Sequence, residues 1–120
     1  MARMMKRVPG KKVFIADVPY PGRNVPGCLS KNLKDIRPCA VASYNRTSGG
    51  SPLRERIAAQ RSNGAVLNFG GVICGGTGSC PVVRDGKIIF RDNHHLTQTF
   101  SRSMAPALDR ALGKVVKKRR

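Results

Sequence analysis

Both histidines of this 120-residue chain fall in one octapeptide, Phe90-Arg91-Asp92-Asn93-His94-His95-Leu96-Thr97, and one of them stands three residues after an aspartate. An Asp-x-x-His pair is half of what nucleophilic acyl chemistry requires. The carboxylate accepts the imidazole Nδ1 proton, fixes the tautomer and stabilises the imidazolium, which leaves Nε2 free to act as base toward a hydroxyl. The same spacing also occurs in solvated surface turns, where Asp and Asn bond their own backbone. The tetrapeptide alone leaves both readings open.

The flanking segments decide where such a pair would sit. Val13-Phe14-Ile15-Ala16 is a short, continuous apolar run that ends at Asp17 and a Pro-Gly-rich loop reaching about Thr47. That pattern predicts a buried parallel strand whose carboxyl end opens toward a site. Ser51-Pro52 reads as N-cap and first helical position, with Leu53, Ile57 and Ala58 on one face and Asn63-Gly64 as the stop. Residues 65–69 then read as a second strand. Val82-Val83 and Lys87-Ile88-Ile89-Phe90 flank Arg84-Asp85-Gly86, a hairpin signal, because Asp-Gly supplies the positive φ values of a tight turn. Phe100, Met104, Leu108 and Leu112 recur every four residues, predicting a C-terminal helix that covers the sheet, with a kink or late start at Pro106. The alternation is that of an α/β fold. It puts His95 in a loop between a strand and the last helix, at the carboxyl edge where open α/β folds build their sites.

Three blocks of the chain also occur in a set order. The first is Ile15-Ala16-Asp17-Val18-Pro19-Tyr20-Pro21-Gly22 with Val25-Pro26-Gly27-Cys28-Leu29-Ser30. The second is Cys74 with Cys80-Pro81-Val82-Val83, and the third is Arg91-Asp92-Asn93-His94-His95-Leu96-Thr97 running into Ser103-Met104-Ala105-Pro106-Ala107-Leu108. Together they cover most of the chain. The set resembles the second half of the SGNH-hydrolase-like domain at the C-terminus of acyltransferase 3 family membrane proteins, which O-acetylate cell-surface polysaccharides and peptidoglycan. The resemblance implies a partial three-layer αβα, flavodoxin-like domain with an incomplete sheet. It also implies that Asp92 is the acidic member and His95 the base of a Ser-His-Asp triad, with His94 at a variable position. The family's nucleophile lies in a Gly-Asp-Ser motif near the domain's N-terminus, and a Gly and an Asn from two later loops complete its oxyanion hole. No block here matches those. Ser51 follows Gly49-Gly50 and Ser79 follows Thr77-Gly78, but neither follows a hydrophobic strand, and both lie after the first matched block. A second departure is Asn68-Phe69-Gly70-Gly71, which stands before Cys74 where the family usually shows a Trp-containing segment.

The expectation is therefore an acid–base half-site without its nucleophile, inactive by itself. The intact family domain handles acyl groups, acetyl above all, on cell-surface glycans. No cofactor and no metal are expected. The expected partners are the remaining half of the domain or a membrane acyltransferase.

Four cysteines form two local pairs, Cys28 with Cys39 and Cys74 with Cys80, and neither has the short C-x2-C to C-x4-C arm usual in zinc sites. The family's domain faces the oxidising side of the membrane, and there the matching cysteines are loop staples, which implies two disulfides. They would matter, because the chain is 40% hydrophobic but only 5% aromatic with no Trp, and can build only a thin core.

Charge pulls toward a different class. Lys and Arg number 23 against 6 acidic residues, a net +17, and the chain ends in Lys117-Lys118-Arg119-Arg120. Such a balance gives sequence-independent affinity for polyanions through counterion release, so a small basic nucleic-acid-binding protein is the rival reading. No RNP, zinc-finger or helix-turn-helix signature accompanies the charge. The expected division is a disordered basic segment over 1–11, a partial domain over 12–113 and a basic tail over 114–120. No run approaches the ~18 apolar residues of a membrane span. The basic start is broken by Val8-Pro9-Gly10-Lys11-Lys12 before any signal-peptide core forms, so a cytoplasmic location is expected for the chain as it stands.

Overall fold

A computed structural model of the chain describes residues 2–41, 52–75 and 78–117. The expected α/β alternation is present, but the described strands form two separate two-stranded sheets. In the first, β1 (Val13–Ile15) and β2 (Ala65–Leu67) run parallel, with Phe14 opposite Val66. Bonds from Ala65 N to Lys12 O and from Ala16 N to Leu67 O extend the ladder at both ends. Parallel strands need a crossover, and α3 (Pro52–Arg61) supplies its helix, packing on both of them. This helix stops where the sequence says it should. Asn63 adopts a left-handed φ of 55°, and Gly64 N turns back to Ala59 O. Of the expected face, Ala58 is buried but Ile57 is exposed, and the buried side runs instead through Ala58 and Ala59; Ser51 and the Leu53 side chain lie outside the described residues.

The Pro-Gly-rich segment after β1 is more structured than a loop. It holds α2 (Val25–Lys31) and a 3-10 turn at Arg37–Cys39. Asn24 caps α2 by accepting from Gly27 N at 3.2 Å, and Pro26 falls in the first turn, where its missing N–H costs nothing. Val25 and Leu29, one turn apart, are buried. A second short helix that composition hides is α4 (Gly70–Cys74), opened by Asn68 Oδ1 accepting from Gly70 N and closed by Gly75 at φ 81°. Glycine suits that closure because its φ of 81° is left-handed backbone that other residues rarely adopt.

The Asp-Gly hairpin forms as expected. β3 (Val83–Arg84) pairs antiparallel with β4 (Lys87–Ile88), and Asp85 and Gly86 take φ of 49° and 71° between them. The periodic C-terminal segment forms two helices, α5 (Gln98–Ser103) and α6 (Ala105–Lys117), broken at Met104 so that Pro106 lies in the first turn of α6. α5 reaches the core through the buried Phe100, and Ala107, Leu108 and Ala111 of α6 pack against it while only partly buried. α6 buries no residue completely, so it covers less than its periodicity suggests.

Two boundaries differ from expectation. The basic start, expected to be disordered, forms α1 (Ala2–Arg7) and packs against α3. Its Ala, Met, Lys and Arg are strong helix formers, and Lys6 and Arg7 suit the C-terminal end of the helix dipole. At the other end α6 continues past residue 113 to Lys117.

The core gathers Val25, Leu29, Val41, Phe69, Ile73, Val82, Ile89, Phe90 and Phe100 around three buried half-cystines, Cys39, Cys74 and Cys80. Both local disulfides are present, Cys28–Cys39 and Cys74–Cys80, with Cα atoms 5.8 and 4.6 Å apart. Closing loops of these lengths removes about 2 to 3 kcal/mol of chain entropy each from the unfolded state. Non-reducing peptide mapping of the oxidised chain should recover these two local links and no crossed ones. A Cys74→Ser/Cys80→Ser double variant should lose about 2 to 3 kcal/mol in denaturant unfolding, and an unchanged midpoint would show that the staple does not support the core.

Candidate active site

The loop that carries the histidines is closed at both ends. Phe90 and Leu96 form an antiparallel bridge, Arg91 N donates to His95 O at 2.9 Å, and Thr97 N donates to Ile89 O at 2.8 Å. Ile89 and Phe90 are completely buried, so the strand side of the loop is anchored in the core. Thr97 fixes the helix side. Its hydroxyl donates to Ile88 O at 2.6 Å, and its oxygen accepts from Phe100 N at 3.2 Å as the N-cap of α5.

Within this frame the Asp92 carboxylate organises the turn. Oδ1 accepts from the backbone amides of His94 at 2.8 Å and His95 at 2.7 Å, while Oδ2 lies 2.7 Å from His95 Nδ1. The hydrogen bond from the His94 amide, with those from the imidazole and amide of His95 behind it, holds the Asp92 carboxyl far below the usual carboxylate range, against a smaller opposing cost of desolvation. An ionised Asp92 is acceptor-only. Nδ1 of His95 must then carry the shared proton, so in the neutral imidazole the lone pair is on Nε2, on a half-exposed ring. The structure thus brings Asp92 and His95 together in the geometry an acid–base pair needs.

His94, at the variable position, does not duplicate that contact. Its Nδ1 lies 2.5 Å from Asn93 Oδ1 and 3.8 Å from Asp92 Oδ1, and its ring stands 3.9 Å from that of His95 at a 42° tilt. Ligand atoms of Asp92, His94 and His95 lie within 4.8 Å of one another, a set that could share a cation, although Asp92 and both Nδ1 atoms are already engaged in the turn. Spacing alone does not reveal this third member, because its approach depends on how the turn folds.

Among the described residues no hydroxyl is hydrogen-bonded to His95. Ser30, Ser62 and Ser103 each donate to a backbone carbonyl in their own helical turn, to Gly27, Ala58 and Phe100 respectively. Ser79 is exposed, and Ser51 lies outside the described residues.

Two outcomes follow for the turn. Because the folded-state pKa of Asp92 is depressed, its contribution to stability is fully present above the unfolded value near 4 and is lost as pH falls toward the folded one. The wild-type chain should therefore lose stability from about pH 4 downward more steeply than Asp92→Asn, and parallel acid-unfolding profiles would contradict the geometry. Thr97→Ala should cost about 1 to 2 kcal/mol, since it removes a helix cap and a tie to β4 together. Urea titration reads it directly, and a change below about 0.5 kcal/mol would mean that the loop is held elsewhere.

No curated protein and no solved structure matches the chain. The family model of the SGNH domain (fused to AT3 domains) matches residues 1–110, so almost the whole chain, the basic N-terminal helix included, belongs to that family.

Proposed function

We propose that the chain is the acid–base part of an SGNH-type acyl-group domain, with Asp92 as the orienting carboxylate and His95 as the general base. One observation carries the reading: the 2.7 Å contact between Asp92 Oδ2 and His95 Nδ1, in a chain of a family fused to acyltransferase domains. On this reading the nucleophilic serine comes from a Gly-Asp-Ser segment, and a Gly and an Asn of two later loops complete the oxyanion hole; none of the matched blocks of this chain carries them.

In the assembled site, His95 Nε2 takes the serine Oγ proton as that oxygen adds to the acyl carbonyl. The tetrahedral intermediate collapses to an acyl-serine, and the imidazolium returns its proton to the departing oxygen. A hydroxyl of the acceptor, or water, then attacks the acyl-serine with the same base taking its proton, and as the C–Oγ bond breaks the imidazolium returns that proton to the serine oxygen. Asp92 holds the Nδ1 proton throughout and does not itself become protonated, which its strongly stabilised carboxylate favours. The substrates on this reading are O-acyl, chiefly acetyl, groups of cell-surface glycans, and the working partner is a membrane acyltransferase. Residues 12–113 remain the proposed folded unit, with α1 and the end of α6 as basic flanks.

An activated acetyl ester offered to the chain alone should give no turnover that His95→Ala abolishes. Adding in trans a family segment with the Gly-Asp-Ser block should create turnover that His95→Ala lowers by about four orders of magnitude, the scale of triad removal. His95-dependent turnover by the chain alone would show that one of its own serines is the nucleophile, and turnover in trans indifferent to His95 would remove its role as base.

A further inference from the structure

We propose that the groove between β2 and α6 is a binding site for an amphipathic anion, a single aliphatic chain with a phosphate or carboxylate head. The inference does not rest on the acyl-transfer reading, since none of the residues below belongs to the Asp92–His95 turn.

The groove has a volume of about 840 Å³, within the range of ligand clefts. Leu67, Phe69 and Val72 line one side, and Ala107, Ala111 and Val115 of α6 line the other. These are apolar walls of the kind that gain by covering an aliphatic chain. Every charged side chain that lines it is cationic: Lys11, Lys12, Arg110 and Lys114, with no carboxylate among the described lining residues. A cleft walled by low-dielectric side chains and rimmed by one sign of charge concentrates its potential on the opposite sign.

The four cations do different work. Lys11 Nζ donates to the carbonyls of Val115 and Val116, the orphan acceptors at the end of α6, and so clamps the last turn of the helix beside the groove. Lys12, Arg110 and Lys114 have no ion-pair partner among the described residues. Arg110 and Lys114 are one helical turn apart on α6, so they reach the same edge of the groove, and their mutual repulsion is what an anionic head would relieve. Helix α6 leaves its apolar side only half covered, which is the state expected of a wall whose occupant is a ligand and not more of the core.

Nucleic acid fits this groove less well. Single strands gain affinity from aromatic stacking platforms, and the one aromatic ring here, Phe69, is buried with the core. A phosphate alone would use the rim and leave the walls idle. A flat lipid surface cannot follow a concave cleft. The chemistry that uses both halves is a chain with a charged head.

Titration calorimetry of the intact oxidised chain with dodecyl phosphate, kept below its critical micelle concentration at physiological salt, is the test. One site per chain is expected, at least tenfold tighter than inorganic phosphate, which lacks the tail, and than dodecyl maltoside, which lacks the charge. Laurate in place of the phosphate distinguishes the two heads. Lys114→Glu and Ala111→Trp should each weaken binding at least tenfold, the first by reversing charge at the rim and the second by filling the groove with its charge intact. Lys34→Glu, an equal change of net charge away from the groove, should leave affinity within twofold. Circular dichroism and the disulfide map confirm that each variant is folded, and Lys12→Gln gives a milder rim variant should Lys114→Glu fail to fold. Inorganic phosphate binding as tightly as the amphiphile, many equivalent sites per chain, or equal weakening by Lys34→Glu would each show diffuse electrostatic adsorption and overturn the site. Competition by duplex DNA at equal phosphate concentration would do the same.

Discussion

The two disulfide loops meet through one backbone contact, and the thin core depends on it. Val41 and Cys80 exchange N–H to C=O bonds in both directions at 2.8 Å. Cys39, two residues before Val41, is bound to Cys28 on α2, and Cys80 is bound to Cys74 at the end of α4. The bridge therefore ties the N-terminal helix-loop segment to the segment that leads into the hairpin. Each disulfide alone closes a loop of only 11 or 6 residues and constrains little beyond it. Joined by Val41–Cys80, they bring elements separated in sequence around Val25, Ile73, Val82 and Phe90. With so few aromatic residues, covalent and hydrogen-bonded ties do the work that a larger core would do by burial.

That dependence explains which parts of the fold were legible in the sequence. The parallel pair, the Asp85-Gly86 turn and the end of α3 at Asn63-Gly64 each rest on a local rule: an apolar run, a positive-φ dipeptide, a left-handed stop. Helices α2 and α4 carry local signals only at their ends, an Asn at each start and a left-handed glycine closing α4. They are short, rich in Pro and Gly, and stabilised by an Asn oxygen at each start and by half-cystines facing the core. The rest of their support comes from tertiary contact, which periodicity cannot register. The split of the last helix at Met104 has a local cause, Pro106, which suits the first turn of α6 and not the interior of one longer helix. The Asp92–His95 contact was legible from spacing and family resemblance. The approach of His94 and the basic-rimmed groove were not, since one depends on the path of a turn and the other joins β2 to a helix forty residues on.

Charge acts on this fold in two opposed ways. A net +17 destabilises any compact state by self-repulsion, and the few acidic residues available are used locally, as where Asp35 binds Arg37 through both carboxylate oxygens. That exposed pair adds little to stability. The excess charge therefore remains largely unneutralised within the chain, which favours anionic surroundings without specifying any one fold.

In the Asp92 turn one carboxylate both shapes the backbone and orients an imidazole. Three hydrogen bonds converge on its carboxylate, two from backbone amides that shape the turn and one from the imidazole that the turn presents. The amide bonds make the anion a poorer proton acceptor, so protonation of His95 would leave the proton on nitrogen and not pass it to Asp92. In the role proposed for it, the carboxylate thus acts through orientation and electrostatic stabilisation. In that role asparagine would be a poor substitute even though it is isosteric. Its amide oxygen could still hold the two backbone donors, but its NH2 would face the imidazole and select the opposite tautomer, turning the Nε2 lone pair into an N–H. The constraint that makes the turn fold is also the one that orients the His95 imidazole.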